Sequence, residues 1–154
     1  MPSEAPRVYA DTSVFGGPFD PEFATGSRLF FEQVRADRLR LVLSEVVAEE
    51  IEAAPPQVRT HFDQFLGLAE VIPVTEAALE LRRAYLESGI VGAGSALDAL
   101  HVALASVSRC AIIVSWNFKH IVNFQKIPRY NAVNALRGHG SIAIYSPREV
   151  IDYE

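Results

Sequence analysis

The sequence predicts an α/β fold built around a mostly parallel sheet, and three observations carry that expectation. Short apolar runs (RVYA, LRLVL, AIIVSW) alternate with longer segments whose apolar residues recur at helical spacing. The run at residues 111–116 is apolar almost throughout, as expected for a strand buried on both faces. The length of 154 residues suits one domain (1–154) with a sizeable core, and no internal repeat or low-complexity tract interrupts it.

Taken in order, residues 7–10 form a short strand that ends at Asp11. Residues 21–36 are helical in pattern, anchored by Phe23, Phe30, Phe31 and Val34. Residues 39–43 make a second strand, after which Ser44 is placed to cap a helix running to Ala53, where Pro55-Pro56 stops it. A third helix covers residues 57–68 and a short strand residues 70–74. Thr75 has the position of another cap, for a helix over residues 76–88. The glycine-rich GIVGAG is a flexible connection into a very apolar helix, SALDALHVALA. After the strand at 111–116, the tail holds a strand at 141–145 and a short helical turn following Pro147.

Bulk properties exclude several classes. Lys and Arg number 14 against 19 Asp and Glu, a formal net charge of -5, which argues against coating nucleic acid or anionic membrane through bulk charge. An enzyme acting on phosphate through metal ions survives that argument, because the ion supplies positive charge locally. The single cysteine, Cys110, excludes an intramolecular disulfide and a thiolate metal cage, and reads as a buried small hydrophobe. No basic segment followed by an apolar run opens the chain, so no secretory signal is expected. Asp98, His101 and Arg109 break up the most apolar region, so no membrane span is expected and the cytoplasm is the expected location.

Three acids then stand out. In parallel sheets ligands bind beyond the carboxyl ends of the strands, and Asp11 lies where the first strand ends. Taken alone, Asp11 is better explained by a turn or cap role in Asp-Thr-Ser. On the helix after the second strand, Glu50 follows Val46 and Val47 at offsets of four and three, sharing the core-facing stripe while Glu45, Glu49 and Glu52 group elsewhere. A wet stripe edge is the plain alternative. Asp98 sits in an apolar helix, where Ser95-x-x-Asp98 also resembles a capping box. Carboxylates gathered at one sheet edge repel unless a cation neutralises them. Oxygen ligands without paired Cys or His point to Mg²⁺ or Mn²⁺, the ions of phosphodiester hydrolysis.

The succession VYADTSVFGG, LVLSEVVAEEI, SALDALHVALA and IIVSWNFKHI, followed by YNAVNAL and IAIYSPREV, resembles the PIN-domain family, in particular VapC-type toxins of toxin–antitoxin systems. The likeness runs in order across nearly the whole chain. It implies a Rossmann-like α/β/α sandwich and a metal-dependent ribonuclease whose acidic triad falls on Asp11, Glu50 and Asp98. The departure is at SWNFKHI, where Ser115 and Asn117 stand at the positions of the family's usual Thr-x-Asp. Asn117 occupies the fourth acidic position without bringing charge, which weakens a second metal ion more than the first.

The resemblance implies an RNA substrate cut to leave a 5′-phosphate and a 3′-hydroxyl, an antitoxin partner that blocks the acidic cleft with a basic side chain, and a homodimer. The segments at 22–36 and 57–68 carry apolar surface for that dimer. A catalytically degenerate module that binds RNA or protein is the alternative, motivated by the missing fourth acid. A phosphatase with an aspartyl nucleophile fits poorly, because Ser13 stands where its second aspartate belongs. Of the remaining polar residues, His101 reads as a satisfied core-edge histidine. His120, Ser13 and Lys119 are weaker candidates for substrate contact, and Trp116 is a strand-ending hydrophobe that could stack on a base only if exposed.

Overall fold

The computed structural model describes residues 5–151. Part of the N-terminal stretch read for a secretory signal lies outside them. Five strands form one sheet: β1 (Arg7–Ala10), β2 (Arg40–Ser44), β3 (Glu70–Ile72), β4 (Ile112–Val114) and β5 (Ala143–Tyr145). Their order is β3-β2-β1-β4-β5, and every neighbouring pair is parallel. The central strand β1 is held on both edges, with Val8 opposite Leu41 on one side and Ile112 on the other. Val8, Tyr9 and Ala10 are consequently without solvent contact, which is why β1 reads as apolar at consecutive positions rather than alternating.

The helices are α1 (Thr12–Gly16), α2 (Ala24–Arg35), α3 (Glu45–Glu52), α4 (Pro56–Leu66), α5 (Glu76–Glu87), α6 (Ala96–Val107) and α7 (Ile127–Leu136). Helices α5, α6 and α7 pack as one group and α1, α3 and α4 as another, giving the expected α/β/α sandwich. The expected caps form: Ser44 accepts from the Val47 amide at 3.4 Å and Thr75 from the Ala78 amide at 3.2 Å. Pro56 opens α4 at a position whose amide has no helical partner to lose. Gly89, at φ 72°, takes the left-handed conformation that closes α5.

Two helices differ from the sequence reading. Residues 12–16, for which Asp-Thr-Ser suggests a turn or a helix cap, form α1. Helix α7 was not expected because its buried face carries polar residues. Asn134 is fully buried, accepting from Tyr85 Oη and donating to Ser106 Oγ at 3.0 Å, so it ties α7 to α5 and α6. Asn131 exchanges hydrogen bonds with the backbone of Ile142 at 2.8 and 3.0 Å, fixing the chain as it enters β5. Satisfied amides replace the apolar periodicity that a sequence reading looks for.

After α1 the chain makes a tight 3₁₀ turn, Gly17–Phe19, against the Trp116 side chain. A Cβ at Gly17 would lie 1.9 Å from Ser27 Oγ and 2.7 Å from Trp116 Nε1, atoms that are hydrogen-bonded to each other at 2.9 Å. Space, not backbone conformation, therefore requires glycine here, since φ is -55°. Gly17→Ala should lower stability by about 1–3 kcal/mol, an overpacking cost. Gly16→Ala, whose Cβ would meet nothing within 4 Å, should change stability by less than about 1 kcal/mol. Denaturant unfolding of both variants checks the contrast.

Candidate functional site

The strand order reverses its direction of growth between β1 and β4, so their carboxyl ends open a crevice at the topological switch point. Asp11 follows β1 and Ser115 follows β4, with the Asp11 amide donating to Val114 O at 3.3 Å. The Asp11 side chain is only 4% exposed. It does not cap α1, although its backbone stands at the cap position. Instead Oδ1 accepts from Ser13 Oγ at 2.6 Å and Oδ2 from Ser115 Oγ at 2.7 Å. Each serine oxygen also receives a backbone amide, Trp116 N at 2.9 Å on Ser13 and Asn117 N at 2.9 Å on Ser115. The loop after β4 is thus hung on the carboxylate that ends β1.

These donors do not fully offset burial. Desolvation pushes the Asp11 carboxyl above its usual range; the nearby His101 ring and the two serine hydrogen bonds oppose the rise, and the Asp98 carboxylate adds to it. Asp98 lies in the first turn of α6, half-buried. Ser95 makes no side-chain cap there, so the capping box that would have explained Asp98 cheaply is not formed. The Asp98 side chain makes no hydrogen bond or ion pair with any described residue, and its charge bears on Asp11. Neither aspartate therefore caps a helix with its side chain; Asp11 instead braces the loop after β4.

Glu50 is held differently. On α3 it is half-buried, while Glu45, Glu49 and Glu52 are exposed, as the helical spacing predicts. Its Oε1 accepts from Thr12 Oγ1 at 2.7 Å and from His101 Nε2 at 2.9 Å. The His101 bond is the main reason its carboxyl is held below the usual range, with burial opposing. The carboxylate is therefore ionised near neutral pH and only accepts, which assigns the proton to Nε2. At the other ring nitrogen, His101 Nδ1 lies 2.7 Å from Tyr9 Oη, which lies 2.8 Å from Ser44 Oγ. Burial pushes the Tyr9 phenol up, so it stays protonated and can donate. His101 is thus a satisfied histidine, 2% exposed, at the centre of a buried chain Ser44–Tyr9–His101–Glu50. Sequence reasoning missed Tyr9 and Thr12, and singled out Ser115 only as the residue at the position of the family's usual threonine. The one available signal was that a buried tyrosine hydroxyl needs a partner.

Asn117 spends its carbonyl on the turn that follows β4, with Oδ1 accepting from the amides of Lys119 at 3.2 Å and His120 at 2.9 Å. Trp116 is 6% exposed. Arg28 and Arg129 donate to the carbonyls of Pro18 and Ser88 at 3.3 and 2.8 Å. Cys110 is buried, its thiol pushed up to about 11, and takes no part in the site.

Among the described residues no three His, Cys, Asp or Glu side chains form a group that could hold a metal ion. Asp11 and Asp98, whose charges act on each other, have the donor chemistry that a hard divalent cation takes. The pair offers oxygen donors only, its negative charge is incompletely compensated, and Mg²⁺ ordinarily uses one or two carboxylates and keeps several waters. Glu50, engaged by His101 and Thr12, stands beside such a pair rather than completing a cage.

No family model matches the chain, and no curated protein matches it. Solved structures do. VapBC2 from Rickettsia felis, bound to a DNA fragment from their promoter, is 17% identical over 90% of this chain and 96% of that chain, with a TM-score of 0.60. FitAcB from Neisseria gonorrhoeae is 13% identical over 91% and 97%, with a TM-score of 0.59. FitAB bound to the IR36 DNA fragment is 13% identical over 96% and 99%, with a TM-score of 0.58. The chain shares the fold of these structures.

The Asp11 shift has a sign that can be tested. A carboxyl whose folded value is raised contributes stability that is present at low pH and lost as pH climbs through that raised value, above the ordinary 3.8. Asp11→Asn removes this dependence. The variant loses the hydrogen bond from Ser115, so the trend is the readout: it should compare best with the wild type at pH 8 and progressively worse as pH falls toward 4. Urea unfolding across that range checks the trend.

Proposed function

We propose that the chain is a metal-dependent endoribonuclease of the PIN-domain family, acting as the VapC-type toxin of a toxin–antitoxin pair. The observation that carries the reading is the buried, unneutralised Asp11 beside a partnerless Asp98 at the switch point of a VapBC-like fold. A protein carries such charge at a cost in stability, which points to a function for it.

Asp11 and Asp98 would hold one Mg²⁺ or Mn²⁺, which supplies positive charge to the phosphate and lowers the pKa of a bound water. Ser13 and Ser115 fix both oxygens of Asp11, so the carboxylate is preorganised and does not turn to meet its load. Glu50 has Oε1 tied by Thr12 and His101, which leaves Oε2 to orient the attacking water and accept its proton. Tyr9 keeps the His101 ring in place from the other side. Asn117 contributes no charge to the site, in keeping with one ion rather than two.

A non-cleaving RNA- or protein-binding module is the second reading. It is favoured by the lack of a three-donor metal group among the described residues. An antitoxin partner belongs to the toxin reading and is supported by the likeness to VapBC2 and FitAB; a homodimer belongs to the same reading. No helix among the described residues is long and apolar enough to cross a membrane.

Incubation of structured RNA with the purified protein separates the two. Cleavage should require Mg²⁺ or Mn²⁺, stop on addition of chelator, and fall on the order of 100-fold in Asp98→Asn, the typical loss when one charge-stabilising group is removed. Cleavage undiminished by chelator and by the substitution would overturn the metal mechanism. RNA binding without cleavage would establish the second reading.

A further inference from the structure

We infer that the hollow beside Asp11 seats one unstacked nucleobase of the RNA strand, a base carrying an exocyclic amino group; this deepens the nuclease reading and rests on it. The cavity has a volume of about 320 Å³ and is bordered by Ser13, Gly16, Gly17, Asp20, Phe23, Trp116 and Asn117. Ser13 is shared with the carboxylate site, since its Oγ donates to Asp11 at 2.6 Å. Whatever fills the cavity is therefore adjacent to whatever sits on Asp11. For a phosphodiester on Asp11, that neighbour is a nucleoside of the same strand.

The aromatic surface is rigid. Phe23 and Trp116 are stacked, with centroids 4.4 Å apart and planes at 16°. The indole is clamped by its bond to Ser27 and by the backbone of Gly26, where a Cβ would come within 3.1 Å of the ring. Phe118, 47% exposed, lies 6.1 Å from Phe23 and 6.2 Å from Trp116 and carries the aromatic surface out to solvent. Trp116, buried behind Phe23, is the backing, and the ring surface within reach of a base is that of Phe23 and Phe118. Single-stranded nucleic acids are held by such surfaces, because every base has a face to stack.

Charge selects which part of a nucleotide enters. The Asp20 carboxylate repels a phosphate; its Oδ1 takes the Glu22 amide at 2.9 Å, which leaves Oδ2 to accept from a base amino group. Asn117 has Oδ1 committed to two backbone amides, so Nδ2 is the atom left to donate to a base acceptor. A carboxylate acceptor paired with an amide donor suits adenine, cytosine or guanine better than uracil. There is room for it: Gly16 has helical backbone angles of -83° and -18°, and a Cβ there meets nothing within 4 Å.

Gly16→Leu fills this space without straining the backbone, and single abasic nucleotides scanned along an RNA substrate remove one base at a time. In the wild type, one abasic position next to the cleaved bond should weaken binding about tenfold, within the range for loss of one stacked base. Uracil at that position should weaken it by a smaller factor. Gly16→Leu should raise KM about tenfold with kcat and thermal stability little changed, and should no longer respond to the abasic position. Phe118→Ala, on an exposed ring, should raise KM severalfold and serves if Gly16→Leu fails to fold. Cleavage or binding of RNA that is unaffected by either variant would overturn the base seat alone, leaving the cavity for a side chain of a protein partner. A wild type that neither binds nor cuts RNA would overturn the nuclease reading, and the base seat with it.

Discussion

The carboxylate of Asp11 is buried at the place where the sheet changes its direction of growth, and much of the surrounding structure exists to hold it there. Two serines donate to it, one from α1 and one just after β4. Both serines in turn receive backbone amides from residues 116 and 117. Removing the carboxylate would therefore release the registry between two loops as well as a charge. Neutral hydrogen-bond donors stabilise an anion less than an ion partner does, and here they leave the carboxyl above its ordinary range. The arrangement is well made geometrically and poorly compensated electrostatically. That combination suits a site that waits for a cation better than one that only braces the fold.

The neighbouring carboxylate receives opposite treatment. Glu50 is kept charged by His101 and Thr12, and the histidine is braced by a buried tyrosine hydroxyl. Helix α6 supplies both halves of this contrast. Asp98, in its first turn, reaches the open edge, and His101, three residues later, turns into the core. The most apolar helix in the protein thus delivers a charge and a hydrogen-bond donor to the site, while Ala99 through Ser106 pack inward. Its hydrophobicity fixes the helix against the sheet, so the position of Asp98 is set by packing rather than by its own contacts.

Most of the architecture was legible because it rests on local rules. Alternating strand and helix patterns, the caps at Ser44 and Thr75, and the Pro55-Pro56 stop all act within a few residues. The face chosen for Glu50 follows from helical spacing in the same way. What escaped depends on partners distant in sequence. Helix α7 buries Asn134, and a polar residue cannot announce burial until its partners on α5 and α6 are known. Similarly, Ser115 orients Asp11 across 104 positions, and the Tyr9–His101 bond spans 92. Three acids could be picked out from the chain, whereas their unequal environments could not. Asp11 is buried and short of compensation, Asp98 is without a partner, and Glu50 is already engaged.

Calorimetric titration of the protein with Mn²⁺ tests the central claim most directly, since it asks whether the Asp11–Asp98 edge takes up the charge it lacks. The account predicts saturable binding of one ion by the wild type, lost or strongly weakened in Asp11→Asn and in Asp98→Asn. Absence of binding in the wild type, or binding retained in both variants, would contradict it.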